Sequence, residues 1–316
     1  MKIGIMTGSG FDPDTGLRGM MDNAGRIEAL GFDSLWMATI YNYDALTALT
    51  AIATATSSIE LGTAVVATHP RHPMAMAQQA LTASAACNGR FTLGIGLSHK
   101  YVIETQMGMS YDKPVSHMRE YLDVLIPLLQ QRSVDYQGEI FSTTAELDVP
   151  EAPTPQLVIG ALGPAMLKLA GSRADGTTLW LTGPKTIADH TVPVIRQAAL
   201  AAGRGEPRVI AGMPVVLTDK PAAARAMVDR QLALYRDIPS YRAMLDREGA
   251  NGPGDVALVG DASALREQLQ QLREIGVTDL NAVLVNEEPA GYERTLDFLA
   301  GELKHQATVS NEGNSR

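Results

Sequence analysis

The chain has 316 residues, of which 45% are hydrophobic and 19% charged, a composition typical of a globular protein with one large domain or two smaller ones. The net charge of −9 argues against a nucleic-acid partner. A single cysteine, Cys87, excludes an internal disulfide and favours a cytoplasmic location. The sequence shows neither a signal-peptide layout nor an apolar run of about 20 residues, so no membrane partner is expected.

Strand-like and helix-like runs alternate along almost the whole chain. The predicted strands are Lys2–Thr7, Ser34–Met37, Ile59–Ala67, Phe91–Ile95, Gln156–Gly160, Thr177–Leu181, Val209–Leu217 and Leu280–Val285. The predicted helices are Gly19–Leu30, Asp44–Thr56, Met74–Ala86, Val115–Gln131, Ala165–Arg173, Thr186–Ala202, Ala222–Arg236 and Ser263–Glu274. This alternation favours a parallel sheet. Cys87 follows an Ala-rich helical run, so we expect it to be buried rather than nucleophilic.

The predicted fold is α/β, a (βα)8 TIM-like barrel with insertions after strands 4 and 7. Helix-to-strand junctions such as GFDSLW from Gly31 are short, whereas the segments after the strands are often long, as in such barrels. The first insertion comprises residues 99–114 and 133–155 and includes a possible hairpin over 134–141; the second covers 237–254. Residues 1–304 are expected to form one domain, and residues 305–316 a disordered tail.

The third predicted strand runs into a loop that is rich in proline and basic groups, LGTAVVATHPRHP, from Leu61 to Pro73. Two X-Pro turns account for the loop structurally, and a ligand wall with a positive rim is the functional alternative. A metal site built from His69 and His72 is a third option. It is disfavoured, because no helix sets their spacing and no acidic or cysteine partner is close in sequence.

The fourth predicted strand ends in a glycine-rich stretch, GRFTLGIGLSHK, from Gly89 to Lys100. Gly94 and Gly96 are interpreted as positions where a ligand approaches the backbone. His99 has three open interpretations: a ligand contact, a proton donor or a polar loop residue.

The stretch VIGALGPAML, Val158 to Leu167, predicts a strand end, a glycine turn and a helix that starts at Pro164. Free backbone amides at such a helix start suit an anion. The next strand ends in WLTGP, so Trp180, like Trp36, lies near a strand end, either in barrel packing or against an aromatic ring. The sequence has no G-x-S-x-G, Walker A, H-E-x-x-H or C-x-x-C motif, which favours chemistry carried by a bound cofactor over a nucleophile or metal.

In the order and spacing of these segments the chain resembles the bacterial luciferase-like superfamily. The resemblance covers nearly all of residues 1–304 and rests on GFDSLW, LGTAV followed by HPRHP, GRFTLGIG, IGALGPAMLKLAGSRADGTTLW, and VGD and GVT near the end. It implies a TIM-like barrel that binds FMN or the deazaflavin coenzyme F420 at its C-terminal mouth. The segment ALGPAMLKLAGSRADGTTLWLTGP is most similar to the F420-dependent branch.

The resemblance also implies a cofactor site. The amides around Gly160–Gly163 would hold the cofactor phosphate, and a bulge with a non-prolyl cis peptide at Ala64–Val65 would lie behind the ring. His69 and Arg71 at the rim would attract the acidic tail of F420. The full cofactor set is Ala64, Val65, Val66, His69, Gly96, His99, Gly160, Ala161, Leu162, Gly163 and Trp180.

Several relatives carry an acidic residue and a histidine after the second strand, where this chain has Thr39 and Ile40. A sugar-phosphate dehydrogenase is therefore not expected, and luciferase-type flavin chemistry is disfavoured. Trp36, Thr39 and Tyr41 are predicted to contact substrate.

The function implied by the resemblance is an F420-dependent oxidoreductase, acting as a reductase or dehydrogenase. It would transfer a hydride between C5 of the deazaflavin and a small enone, imine or alcohol/ketone. His99 or Tyr101 would act as proton donor. The alternatives are an FMN-dependent monooxygenase and a non-catalytic flavin-binding relative. A homodimer is expected, because relatives are often dimers.

Overall fold

A computed structural model describes residues 1–8, 12 and 16–313 of the chain. Its strands are β1 (Lys2–Thr7), β2 (Ser34–Met37), β3 (Glu60–Thr63), β4 (Val66–Ala67), β5 (Phe91–Gly96), β6 (Ser133–Gln137), β7 (Ser142–Glu146), β8 (Gln156–Gly160), β9 (Gly176–Trp180), β10 (Arg208–Leu217), β11 (Leu258–Gly260) and β12 (Asp279–Leu284).

The α-helices are α1 (Leu17–Ala29), α2 (Ala45–Ile52), α3 (Pro73–Ala86), α4 (Pro114–Gln131), α5 (Pro164–Arg173), α6 (Pro184–Thr186), α7 (Val192–Ala201), α8 (Pro221–Gln231), α9 (Ala233–Arg236), α10 (Pro239–Glu248), α11 (Ala262–Glu274) and α12 (Pro289–Gly313). Short 3₁₀ turns cover Ala53–Ala55 and Pro253–Val256, and π-helical turns cover Tyr101–Gln106 and Ile187–Thr191. Many helices start at proline, whose fixed φ suits the first helical turn and whose missing N–H is not needed there.

The chain divides into two compact units. The first comprises residues 1–36, 179–193 and 208–316. Its strands follow the order β11-β10-β12-β1-β2, and the ladders from β11 to β1 are parallel, with Lys2 opposite Asp279. All six residues of β12 are buried, as expected for a parallel strand covered on both faces.

The second unit comprises residues 37–178 and 194–207. Its parallel strands follow the order β3-β5-β8-β9, with β4 also paired to β5. β6 and β7 form a separate antiparallel hairpin. The strand core is apolar, and every residue of β5 is buried.

All eight predicted strands are present, with one internal difference. The predicted strand over 59–67 is interrupted between β3 and β4. The predicted hairpin is also present, but its second strand starts at Ser142, because residues 138–141 form the turn. β11, α10 and α12 were not predicted from the sequence.

The C-terminal helix α12 runs to Gly313, into the stretch predicted as a tail from residue 305, and residues 314–316 lie outside the described part of the chain. The assignment of 1–304 to one domain stays a prediction. Cys87 is buried, as predicted, and burial raises the pKa of its thiol to about 11. In the described part of the chain, no helix combines the length and the apolar character that spanning a membrane requires.

Candidate functional site

The second unit contains a break in its first parallel strand. Between β3 and β4 the Ala64–Val65 peptide bond is cis, as predicted. The Ala64 amide donates to the Met37 carbonyl at 2.8 Å, and the Val65 carbonyl accepts from the Thr39 amide at 3.1 Å. The segment that follows β2 is therefore attached to this bulge by two backbone hydrogen bonds.

Three glycines on neighbouring strands make room for the bulge. A Cβ on Gly94 would lie 1.9 Å from the Thr63 carbonyl oxygen, and a Cβ on Gly96 would lie 2.7 Å from Val65 Cγ2. A Cβ on Gly160 would lie 3.4 Å from Val65 Cγ1. Thr63 and Val65 of this chain fill the space that side chains at Gly94 and Gly96 would need, which explains both glycines without a ligand. The predicted cofactor contact of Gly96 stays a prediction.

A stack of aromatic rings follows β4. The His69 ring lies 4.0 Å from the His117 ring at an interplanar angle of 2°, and 5.1 Å from the Tyr111 ring at 18°. The far end of the stack is Tyr121 and Phe141, both within 6 Å of the His117 ring centroid. We call these five residues the histidine stack.

The two imidazoles in the stack differ in their hydrogen bonding. His117 Nε2 lies 3.1 Å from Thr68 Oγ1. Both ring nitrogens of His69 are out of contact with solvent. Burial lowers the pKa of His69, and a hydrogen bond with the Leu97 backbone opposes that shift. Burial, reinforced by His69, lowers the pKa of His117 to about 4, so both rings are neutral at pH 7.

The charged role expected of His69 and Arg71 is not supported. His69 is only 9% exposed and neutral, so it presents no positive charge at a rim. The Arg71 guanidinium already forms an ion pair with Asp44. Attraction of an acidic cofactor tail by these two side chains is therefore not expected, and the predicted cofactor contact of His69 stays a prediction.

The amides of the glycine turn lie where VIGALGPAML predicts them. β8 ends at Gly160, Ala161 is buried, and Leu162 is partly exposed. Gly163 caps α5 with extended backbone and forms no side-chain cap, and a Cβ on Gly163 would meet nothing within 4 Å. The start of α5 therefore has open space beside amides that no cap side chain occupies.

The two tryptophans lie in the first unit. Trp36 is fully buried, its Nε1 donates to Ser34 Oγ at 2.8 Å, and Arg208 lies over its ring at 5.8 Å. This burial argues against its predicted substrate contact. Trp180 packs edge-on against Tyr235, with ring centroids 5.8 Å apart. Its buried Nε1 has no hydrogen-bond partner among the described residues, and its predicted cofactor contact stays a prediction.

The candidate proton donors occupy different environments. His99 is half-buried after β5, and burial lowers its pKa. Tyr101 is 65% exposed at the start of the π-helical turn. The structure brings this turn to the segment after β2, because the Tyr41 hydroxyl donates to Gln106 Oε1 at 2.9 Å.

These two segments expose large apolar side chains. They are Ile40, Tyr41, Tyr43, Tyr101, Met107 and Met109. We call this group the apolar loop pair. It starts beside the bulge, since the Thr39 amide bonds to the Val65 carbonyl.

Sequence reasoning missed most of the histidine stack. His117 and Tyr121 lie on α4 at a spacing of four residues, within a buried stripe that includes Met118 and Leu125. A histidine in an apolar helical stripe was the available signal. Tyr111 and Phe141 came from the insertion, whose path the sequence does not define. No cluster of three or more potential metal ligands occurs among the described residues.

Comparisons with known proteins place these features in a family. The model of the family "luciferase-like monooxygenase" matches residues 1–279. A 5,10-methylenetetrahydromethanopterin reductase from Archaeoglobus fulgidus is 34% identical over 189 residues, 58% of this chain and 54% of the relative.

Two solved structures give the same fold. The coenzyme F420 dependent tetrahydromethanopterin reductase from Methanopyrus kandleri has a TM-score of 0.77 at 23% identity, with 95% of this chain and 97% of that chain covered. A type II Baeyer-Villiger monooxygenase component of Pseudomonas putida, in complex with FMN, has a TM-score of 0.75 at 17% identity, with 95% and 97% covered. The fold class is thus a (βα)8 TIM-like barrel, and its homologues include oxidoreductases. The chain belongs to the luciferase-like monooxygenase family.

Proposed function

We propose that this protein is an F420-dependent oxidoreductase that transfers a hydride between C5 of the deazaflavin and a small organic substrate, namely an enone, an imine or an alcohol/ketone pair. The observation that carries the proposal is the broken strand between β3 and β4, seated on Gly94, Gly96 and Gly160. In the F420-dependent branch that the sequence resembles, this bulge lies behind the cofactor ring. The resemblance to F420-dependent reductases supports the same choice.

The residues present fit such a cofactor at its phosphate and behind its ring. The uncapped, open start of α5 at Gly163 suits a phosphate. Ala64, Val65 and Val66 would support the ring, while Gly160, Ala161 and Leu162 would direct backbone groups to the phosphate. When bound, the reduced deazaflavin supplies the hydride. The chain supplies orientation, which is itself a large catalytic term.

The apolar loop pair indicates an uncharged substrate. Its exposed groups are aliphatic, aromatic and thioether side chains, and three pairs of charges nearby in sequence or in space form ion pairs. Arg71 pairs with Asp44, Lys113 with Glu139, and Lys100 with Glu104. A small apolar enone, imine or ketone would gain contact area there without leaving a charge unpaired. Thr39 and Tyr41 are the residues that we propose contact substrate there.

His99 is our candidate for the group that exchanges a proton with substrate. Its lowered pKa means that it carries a positive charge only below its ordinary range near pH 6.5. Reduction that needs this proton should therefore speed up as the pH falls toward the His99 pKa. Tyr101 is the alternative donor, and a Tyr101→Phe variant with unchanged kcat would exclude it.

The test is a titration of purified protein with F420 and, separately, with FMN, followed by cofactor fluorescence. Tight binding of F420 with weak binding of FMN supports the proposal. Tight binding of FMN alone contradicts it and favours the FMN-dependent monooxygenase, which the FMN-bound structural neighbour also suggests. Binding of neither contradicts both and favours a non-catalytic relative.

A variant at Gly163 tests the phosphate position. Aspartate at this position would accept hydrogen bonds from the first amides of α5, and open space would receive its side chain. Gly163→Asp should keep or raise the Tm and weaken binding of F420 about tenfold or more, by occupying the amides and repelling the phosphate. Gly163→Ala is the matched control. Equal affinity in Gly163→Asp and Gly163→Ala would place the phosphate elsewhere.

The homodimer and the cytoplasmic location remain predictions from the sequence.

A further inference from the structure

The segment that carries the candidate proton donor has no regular secondary structure. Leu97, Ser98 and His99 follow the end of β5 at Gly96 and lie before the π-helical turn that starts at Tyr101. Ser98 has a φ of 60°, in the left-handed region that a residue with a side chain seldom adopts. Such a residue keeps this conformation only when its surroundings hold it there. The direction in which the chain enters His99 therefore depends on contacts from other segments.

The loop after β4 holds the first part of this segment. The Gly96 carbonyl accepts from the Thr68 amide at 2.9 Å, and the backbone of Leu97 forms a hydrogen bond with the His69 ring. That bond opposes the lowering of the His69 pKa, as a carbonyl acceptor does, because it favours the protonated ring. His69 is stacked on His117 and is only 9% exposed, so its ring is a fixed partner. The chain is thus anchored as far as Leu97.

The insertion holds the second part of the segment. The Ser98 carbonyl accepts from the Tyr111 hydroxyl at 3.2 Å, and the His99 carbonyl accepts from the Ile103 amide at 3.0 Å. Ile103 is fully buried, and the Tyr111 ring is fixed by stacking on His69 at 5.1 Å. Burial raises the pKa of Tyr111, so its hydroxyl stays a protonated donor at neutral pH. Tyr111 is therefore the side chain that holds the left-handed residue itself.

We propose that Tyr111 is a positioning residue: its hydroxyl holds the left-handed turn at Ser98 and thereby sets where the His99 imidazole lies. The His69 ring assists through Leu97. Neither side chain exchanges a proton with substrate. The placement of His99 is a property of the cofactor-free chain, whereas its use in proton exchange rests on the proposed function.

The first measurement is the pKa of His99 in the cofactor-free protein, followed by NMR of the histidine rings, with His99→Asn identifying the signal. In the wild type, burial lowers this pKa; His69 and Tyr111 beside the turn are neutral at pH 7, and Lys100 and Glu104 after it pair with each other. Tyr111→Phe keeps the ring that stacks on His69 and removes only the hydroxyl. We expect the His99 pKa to rise toward its ordinary value near 6.5, because the released turn exposes the imidazole to water.

Tyr121→Phe is the matched control. Tyr121 lies at the far end of the same stack, and its hydroxyl donates to the Arg71 carbonyl at 3.0 Å rather than to Ser98. Each variant loses one hydrogen bond from a tyrosine to a carbonyl, so a similar small fall in Tm is expected in both. The His99 pKa should change in Tyr111→Phe alone.

The second measurement uses the protein loaded with cofactor. The Kd for F420 should change by less than about twofold in both variants, since neither hydroxyl is assigned to the cofactor. With reduced F420 and cyclohexenone as the probe enone, kcat should fall about tenfold in Tyr111→Phe and stay near the wild-type value in Tyr121→Phe. In a His99→Asn background, Tyr111→Phe should cause no further loss of kcat, because the group that it positions is already absent.

Three outcomes overturn the inference alone. The first is an unchanged His99 pKa in Tyr111→Phe. The second is an equal rise of this pKa in Tyr121→Phe, which would assign the effect to the stack as a whole. The third is a full additional loss of kcat when Tyr111→Phe is made in the His99→Asn background. A wild-type protein that does not bind F420 overturns the proposed function instead, and the His99 titration still decides whether Tyr111 places the imidazole.

Discussion

Two buried polar sites, one in each unit, differ in whether the buried group is charged. In the first unit, Asp279 is 2% exposed and accepts hydrogen bonds from Arg208 Nη2 at 2.6 Å and from Thr278 Oγ1 at 2.5 Å. Arg208 also lies over the Trp36 ring. In the second unit, His69 is 9% exposed and neutral at pH 7, because burial lowers its pKa.

The difference shows how charge decides what a buried polar group needs from its partners. A buried charge that is left unpaired costs several kcal/mol, so Asp279 persists in the fold only with its partners. A neutral imidazole costs far less when its hydrogen bonds are weak or missing. Changes near Asp279 should therefore alter stability more than changes at His69.

The largest expected effect follows from removing one partner of the first site. Arg208→Leu leaves the Asp279 carboxylate buried and without its cation, and should lower the free energy of unfolding by about 3–5 kcal/mol. Chemical denaturation measures this loss. The double variant Arg208→Leu/Asp279→Leu should recover much of it. If the single variant lost less than about 1 kcal/mol, the pair would not be an important folding contact.

The next largest loss of stability is expected where the bulge packs against the neighbouring strand. In Gly94→Ala the new Cβ would meet the Thr63 carbonyl, a backbone atom that cannot move without shifting the bulge. Stability should fall by about 3 kcal/mol, and binding of the cofactor should fall with it. Gly205→Ala is the control in the same unit, because a Cβ there meets nothing within 4 Å. Equal stabilities of the two variants would show that the backbone at Thr63 does not pack tightly against Gly94.

Acid should weaken the histidine stack. His117 has a pKa near 4 in the fold and near 6.5 when unfolded, so the unfolded chain binds the proton more readily. Stability from this group is complete above pH 6.5 and is lost as the pH falls toward 4, by up to about 3 kcal/mol. Urea denaturation of the wild type and His117→Phe at several pH values measures it. The free energy of unfolding of the variant should depend less steeply on pH than that of the wild type. His69 and His99, whose pKa values burial also lowers, account for the dependence that remains. An identical slope would contradict the assignment.

The smallest effect on stability is expected in the apolar loop pair. Tyr41→Phe removes the hydrogen bond to Gln106 between two exposed segments, so stability should change by less than about 0.5 kcal/mol. If substrate binds here, KM for an apolar acceptor should rise about twofold to fivefold with kcat nearly unchanged. Tyr136→Phe, on β6 and outside the apolar loop pair, makes the same chemical change and serves as control. Equal KM values for both variants would place the substrate elsewhere.

Local patterns in the sequence determined much of the fold. Prolines marked helix starts such as Pro73 and Pro164, and β-branched runs marked the parallel strands, because both signals act over a few residues. The bulge at Ala64–Val65 and the glycine turn before α5 were also predicted, although the first came from resemblance to a family. The strand β11 and the helices α10 and α12 were missed.

Only the tertiary structure decided how the candidate site is arranged. It showed that Gly94 and Gly96 are glycines because the bulge fills their side-chain space. It brought Tyr111 from the insertion and His117 from α4 against His69, placed Phe141 against His117, and paired Arg71 with Asp44. The contact between His69 and His117 joins residues 48 positions apart. Periodicity and local propensity extend over a few residues, and burial, which removes the charge of His69, is a property of the packed chain.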